Sequence, residues 1–328
     1  MNRKIWLGLA LIVVSYGELL IRKSWALAHH FAAGFPYSFA VAFFVFGVII
    51  LGEGITQRFK GVSLLGLARG SKRKLLTFLV VAAFVGVLAE VLGTWLGKLW
   101  YYAYYPRWFY WPALIPSFIL YWIMLCEAYM AGKALWDHYL KSGGKDKHPL
   151  KYFTYEHNLY FLLGTAGIAA IVYAAISLAF HFAQHGYSFD PYQGTGYAPP
   201  LRDMLTLFFG IWGFAEAVLY TRDSPSLIRS ILHGYFAPLL GLLTASLLLS
   251  FVWETQNAQV GYWVYVHWPW PGVKIFGVQA VIFLAWPANL VLFSVLSPAI
   301  MSSWAGAFWS RPGRIKRKEA KRGTATAV

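Results

Sequence analysis

A single cysteine, Cys126, and a scarcity of charge mark this chain of 328 residues. One thiol makes neither a disulfide framework nor a cysteine set for zinc. Only 13 residues are acidic, and their spacing offers no paired aspartates of the kind that hold diphosphate through magnesium. A glycine-rich phosphate loop and a Ser-His-Asp arrangement with useful spacing are missing as well. These absences argue against P-loop, triad-hydrolase and aspartate-dependent prenyl-transfer chemistry, and no pattern asks for a cofactor or a metal.

Apolar residues are abundant instead. They make up 59% of the chain and mean hydropathy is +0.52, which excludes an ordinary soluble domain. Runs of 18 or more apolar residues cross a hydrocarbon core of roughly 30 Å as helices. The pattern predicts an all-α integral membrane protein with eight spans, at about 5–21, 36–56, 75–97, 113–136, 157–183, 202–221, 233–256 and 275–298. Aromatics, 16 of them Trp, crowd the span ends as interfacial belts do. A soluble α/β fold would strand these runs in water.

Charge placement orients the spans. With the N-terminus inside, 21 of the 28 Lys and Arg fall on inner segments and 6 on outer ones, Lys133 lying within a span. That bias is the positive-inside pattern for eight helices with both termini cytoplasmic, as in a multi-pass protein of the cell membrane. The net charge of +15 is then accounted for by inner loops and a basic tail, Arg311 to Arg322, lying on anionic lipid headgroups, and no nucleic acid is implied. Arg3-Lys4 and Ala26-Leu27-Ala28 imitate a signal peptide, but Glu18, Arg22 and Lys23 interrupt it; a retained first helix is expected.

The chain echoes itself. Glu90, Gly97, Tyr101 and Trp122 recur 164 residues later as Glu254, Gly261, Tyr265 and Trp286. Phe46-Gly47, Glu53 and Ser63-Leu64-Leu65 recur at an offset of 163 as Phe209-Gly210, Glu216 and Ser226-Leu227-Ile228. This divides the chain into a four-helix repeat (1–140), a cytoplasmic connecting loop (141–149), a second four-helix repeat (150–300) and a basic tail (301–328). An even number of spans per copy makes the repeats parallel, about an axis near the membrane normal. Two outer segments, Trp95 to Trp111 and Trp263 to Pro271, are too aromatic to float in water and are expected to fold back over the helix ends. Gly186 to Pro200 has the composition of an ordered irregular loop.

Carboxylates inside membrane helices are costly and mark functional sites. Glu90 and Glu254 fall in the outer part of their spans. Gly93, Thr94 and Gly97, like Asn257, Ala258 and Gly261, follow at i+3, i+4 and i+7 on the same helical face. Small residues there admit another helix or an elongated ligand. The two acids read as proton donors facing one another across a central cavity, or as acceptors for Tyr and Trp that pin the bundle. Glu53 and Glu216 are expected to pair with Arg58 and Arg222, and Glu18 with Arg22. Glu127 is read as a third site carboxylate or a partner for Lys133. His181 and His185, spaced i, i+4, do not by themselves make a metal site, since spacing fixes no third ligand; His267 lies in the second aromatic segment.

Glu90-Val91-Leu92-Gly93 with Gly97 and its tyrosine cluster, then Pro112-Ala113-Leu114-Ile115-Pro116, resembles the integral-membrane carotenoid hydratases. The second half repeats the likeness in Glu254, Gly261, Trp263, Tyr265, Gly277-Val278 and Leu284-Ala285-Trp286. The series is also similar to the duplicated domain of membrane lycopene cyclases. That domain's paired glutamates are missing at 112–115 and 279–282, and Gln279 stands where the hydratases carry proline. The resemblance implies a long isoprenoid chain between the repeats. Glu90 or Glu254 protonates a terminal double bond, the cation is shielded by Tyr101, Tyr102, Trp263 and Tyr265, and water adds with help from the other carboxylate. Gly97, Trp122, Asn257, Gly261 and Trp286 complete the expected substrate contacts. The alternatives are a non-enzymatic lipid or solute transporter using the same acids as proton or ion sites, and a structural membrane subunit.

Overall fold

The computed structural model describes residues 2–28, 39–69, 71–102, 110–140, 155–186, 197–300 and 302–310. Among them are eight helices long and apolar enough to cross a membrane, and the chain is an all-α, multi-pass membrane protein by that measure. The elements in chain order begin with α1 (Arg3–Ala28), α2 (Phe39–Arg58), a short α3 (Leu64–Arg69), α4 (Lys72–Glu90), β1 (Trp100–Tyr101) and α5 (Tyr110–Tyr139). Then follow α6 (Glu156–His185), α7 (Leu201–Thr221), a short α8 (Leu227–Leu232), α9 (Ala237–Val260) and β2 (Val264–Tyr265). Strands β3 (Lys274–Ile275) and β4 (Val278–Gln279) precede α10 (Ala280–Ile300) and α11 (Ser302–Trp309).

Each expected span has its helix. The seventh starts at Ala237 rather than 233, after Gly234 turns the chain at φ 67°. The eighth starts at Ala280 rather than 275, because Phe276 and Gly277, both at positive φ, close the β3–β4 hairpin. Residues 302–309, read as the start of the tail, form α11, with Trp304, Phe308 and Trp309 buried; the indole of Trp304 stacks on Phe78 and Tyr129 donates to the carbonyl of Phe308. The connecting loop 141–149, the basic residues from Arg311 onward and positions 103–109 and 187–196 of the two irregular outer segments lie outside the described residues.

Helices α4, α5, α9 and α10 form the centre, while the α1–α2 and α6–α7 pairs flank it, α2 packing on α5 and α7 on α10. The core is apolar and aromatic, centred on Trp122, Tyr129, Phe293 and Leu242. Outward faces are apolar too: Val13 and Phe161 are about as exposed as any residue in their helices, as a lipid-facing surface requires. Backbones touch where glycines meet, Gly8 against Gly47, Gly167 against Gly210 and Gly132 against Gly241. Without a hydrophobic drive between helices in lipid, such close packing is what holds them.

The two six-residue helices correct several expectations. Ser63 and Ser226 cap their N-termini, accepting from the amides of Gly66 and Arg229 at 3.0 and 3.3 Å. A buried glutamate completes each cap: Glu127 accepts from the amide of Leu65 at 2.7 Å, and Glu216 from that of Ile228 at 3.3 Å. The same cap is thus built from α5 in one half and α7 in the other. Glu127 is therefore a helix cap and not the partner of Lys133, which pairs with Asp137 at 3.2 Å. Glu53 pairs with Lys4 at 2.8 Å rather than Arg58. Arg222 reaches the carbonyl of Ala299 rather than Glu216. Glu18 accepts from the amide of Ala40 and so caps α2, while the Arg22 side chain lies outside the described residues. For Glu18, Glu127 and Glu216 an unpaired helix-end amide is met by a carboxylate. Replacing Glu127 with Ala strands a buried amide, and a loss of about 1–2 kcal/mol is expected in detergent melting.

Candidate functional site

Glu90 and Glu254 are both buried, at 2% and 0% exposure, near the same ends of α4 and α9. Their surroundings differ in register. Beyond Glu90 the helix widens into a π turn, Val91–Leu96, in which the amide of Gly97 donates to the carbonyl of Leu92, five residues back, at 2.9 Å. A π turn inserts one residue into a helix. Gly93, Thr94 and Gly97 therefore do not share the α-helical stripe expected of them, and the space beside Gly93 is taken by the indole of Trp100. Beyond Glu254 the helix stays regular to Gly261, which ends it in the left-handed region at φ 68°, where glycine is at ease.

The extra residue changes which phenol arrives. Tyr265, eleven residues after Glu254, donates to its Oε1 at 2.6 Å. On the first side the donor to Glu90 Oε2, at 3.0 Å, is Tyr102, twelve residues on, and not Tyr101. The indole of Trp286 also donates to Glu254 Oε1, at 2.9 Å. Its sequence counterpart Trp122 is buried, but its indole nitrogen has no hydrogen-bond partner among the described residues. Tyr102→Phe is expected to lower the melting temperature by the equivalent of about 1–3 kcal/mol, as for a hydrogen bond to a charged group, with Tyr101→Phe close to wild type. Equal effects would refute the register shift.

A two-stranded ribbon links the two acids. Strands β1 and β2 run antiparallel, Trp100 opposite Tyr265 and Tyr101 opposite Val264. The amide of Val266 and the indole of Trp268 both donate to the carbonyl of Leu99 at 3.0 Å. The described parts of the two aromatic segments thus pair with one another at the ends of α4 and α9. Asn257 is spent on this turn: its amide side chain donates to the Trp263 carbonyl at 2.9 Å and accepts from the Trp263 amide at 3.1 Å. Lys98, also buried, sits at φ 50° between the π turn and β1.

Aromatic rings close the shell. Trp263 stacks on Trp253 at 5.8 Å, and Tyr102 packs on Trp95, Trp100, Phe118 and Trp263. The Tyr121 ring lies 5.8 Å from Trp253 and 6.2 Å from Trp286. Tyr121 and Trp253 escape the sequence reading because the repeat pattern does not include them. Burial, reinforced by the Glu254 carboxylate, holds the Tyr265 phenol well above its usual range, so it remains a donor. Glu254 Oε2 is buried and takes no well-formed hydrogen bond among the described residues, with the Trp263 and Asn257 side chains close to the carboxylate. Such a carboxyl oxygen ringed by aromatics can face an apolar ligand and exchange a proton with it. Among the described residues, the packing around the two acids leaves them almost no exposed surface.

Other candidates lie apart. His181 Nε2 is 3.5 Å from Asp203 Oδ2, which also accepts from Ser177 at 2.8 Å, while His185 stacks on Tyr197 at 4.3 Å. A small cavity lies toward the other end of α5, lined by Gly61, Val62, Met130, Lys133, Ala134, Asp137 and Ala307. There Asp137 accepts from Tyr235 at 2.8 Å, and the Lys133 ammonium stands 5.5 Å from the Tyr235 ring. No family model, curated protein or solved structure matches the chain.

Proposed function

We propose that this protein is a membrane enzyme that hydrates a terminal double bond of a long isoprenoid chain, with Glu254 as the proton donor. The observation that carries the reading is the Glu254 carboxyl group itself, fully buried among aromatic rings with no well-formed hydrogen bond at Oε2 among the described residues. In this scheme the Glu254 proton adds to the less substituted alkene carbon and leaves a tertiary cation. The faces of Trp286, Tyr121 and Trp263 stabilise that cation. Water adds to it, and its proton passes to Glu90 or back to Glu254, yielding a tertiary alcohol.

The scheme rests on two further inferences. The halves are parallel duplicates: the Ser-capped short helices recur 163 residues apart, and the paired strands follow equivalent helices. Both termini face the cytoplasm of a cell membrane, where the exposed Lys72, Arg73 and Lys74 meet anionic headgroups.

A second reading has an observation of its own. Tyr102 and Tyr265 tie the β1–β2 ribbon to both carboxylates, as structural pins would. Mass spectrometry of lipids copurified from an isoprenoid-producing host separates the two. The enzyme reading expects a species heavier than its precursor by one water, present with wild type and lost with Glu254→Gln. Identical extracts from the two would leave only the pin.

A further inference from the structure

The β3–β4 hairpin is built unlike a water-exposed turn. Trp270, Val273, Ile275 and Phe276 are all exposed, Phe276 at 67% and Trp270 at 69%. Its backbone is internally tied: the amide of Val273 donates to the Trp270 carbonyl at 3.0 Å, that of Ala280 to the Val273 carbonyl at 2.9 Å, and Ile275 pairs with Val278. Trp270 and Phe276 hold positive φ, so the loop presents these rings at some conformational cost.

Its placement says what the rings meet. Gly277 lies beside Ala258, at the last turn of α9, which sets the hairpin backbone at the membrane-interface end of that span. The Phe276 ring packs edge-on against Phe251 at 5.3 Å. Phe251 is seven residues below Ala258, about 10 Å deeper along the helix axis. It belongs to an exposed apolar flank of α9 that includes Leu247 and Leu248. The hairpin surface therefore continues the flank of a span, and what covers that flank also covers the hairpin.

We propose that residues 270–276 form a lipid-inserted finger whose occupant is the acyl region of the leaflet on the Glu254 side. The backbone stays at the interface, where its open strand edges can find water, as the rule against irregular backbone in hydrocarbon requires. Phe276, Ile275 and Val273 enter the acyl chains. Trp270 sits at headgroup level and Lys274 snorkels back to the phosphates. The inference does not depend on the carboxylate chemistry.

Nitroxide labelling tests it. The one native cysteine is buried, so the wild-type chain serves as the labelling blank. Phe276→Cys and Val273→Cys are labelled separately in phosphatidylethanolamine–phosphatidylglycerol vesicles, with Leu248→Cys as the lipid reference and Lys72→Cys as the aqueous one. Both hairpin labels are expected to collide with oxygen several-fold more, relative to a water-soluble nickel chelate, than the Lys72 label. The Phe276 label should approach the Leu248 value. Nickel accessibility equal to that at Lys72 would overturn the proposal. So would shielding from both reagents, which would mark a second copy or another protein on the finger. Using two positions keeps the result interpretable if one variant fails to fold.

Discussion

Gly241→Leu is expected to abolish folding of the bundle. A side-chain carbon at Gly241 would lie 2.5 Å from the backbone nitrogen of Lys133 and 2.9 Å from the carbonyl carbon of Gly132; at Gly132 it would meet the Gly241 carbonyl oxygen at 2.7 Å. These neighbours are main-chain atoms, which cannot rotate aside as a side-chain end can. The only relief is to part α5 from α9, the most extensive contact between the first and second halves of the chain. Overpacking costs about 1–3 kcal/mol where side chains can yield. Even Gly241→Ala should reach the top of that range, and leucine should exceed it. Gly17 is the control, since among the described residues nothing lies within 4 Å of a side-chain carbon built there. Gly17→Ala should melt like wild type in detergent, whereas Gly241→Leu should elute as aggregate. Wild-type melting of Gly241→Leu would refute this crossing.

Glu254→Gln is the second large effect, and it falls on chemistry more than on fold. The amide keeps the size of the carboxylate, and its oxygen can still accept from Tyr265 and Trp286. Exchanging those bonds for amide ones should cost about 0.5–1.5 kcal/mol, leaving a folded protein with a slightly lowered melting temperature. The amide has no proton to give, so the hydrated product should vanish. Glu254→Ala should be worse for folding, because it strands the Tyr265 phenol and the Trp286 indole and opens a void beside them. A folded Glu254→Gln variant with undiminished product would remove Glu254 from the reaction.

The spans were legible because a hydrocarbon slab imposes length and apolarity on every crossing segment, whatever its neighbours. The recurrence of Glu90 and Glu254 was legible for a related reason: an acid in an apolar run stands out. Partners were harder to read. Tyr101 matched Tyr265 by spacing, yet the π turn after Glu90 gave the contact to Tyr102, and no residue in Val91–Leu96 announces that turn. Trp122 kept its place in the repeat without finding the carboxylate that its counterpart holds.

The remaining acids misled in a consistent way. Glu127 and Glu216 were read against nearby cations or as site residues, but each caps a helix start brought to it by tertiary packing, as Glu18 also does for α2. Sequence proximity favours i, i+4 partners, whereas a buried backbone amide 12 to 62 residues away asks for the carboxylate more strongly. Lys133 shows the opposite case: its partner Asp137 is the i+4 neighbour. Asn257 and Gly261 were read as ligand contacts because they share a face with Glu254. Their side-chain amide and positive φ also serve the turn that carries Trp263.

Supplying the isoprenoid substrate in deuterated water tests the central claim most directly. Proton delivery from Glu254 predicts that each product molecule gains a carbon-bound deuterium at the less substituted carbon of the former double bond, which back-exchange does not remove, and that Glu254→Gln yields no such product. Product free of carbon-bound deuterium, or labelled equally by wild type and Glu254→Gln, would contradict the account.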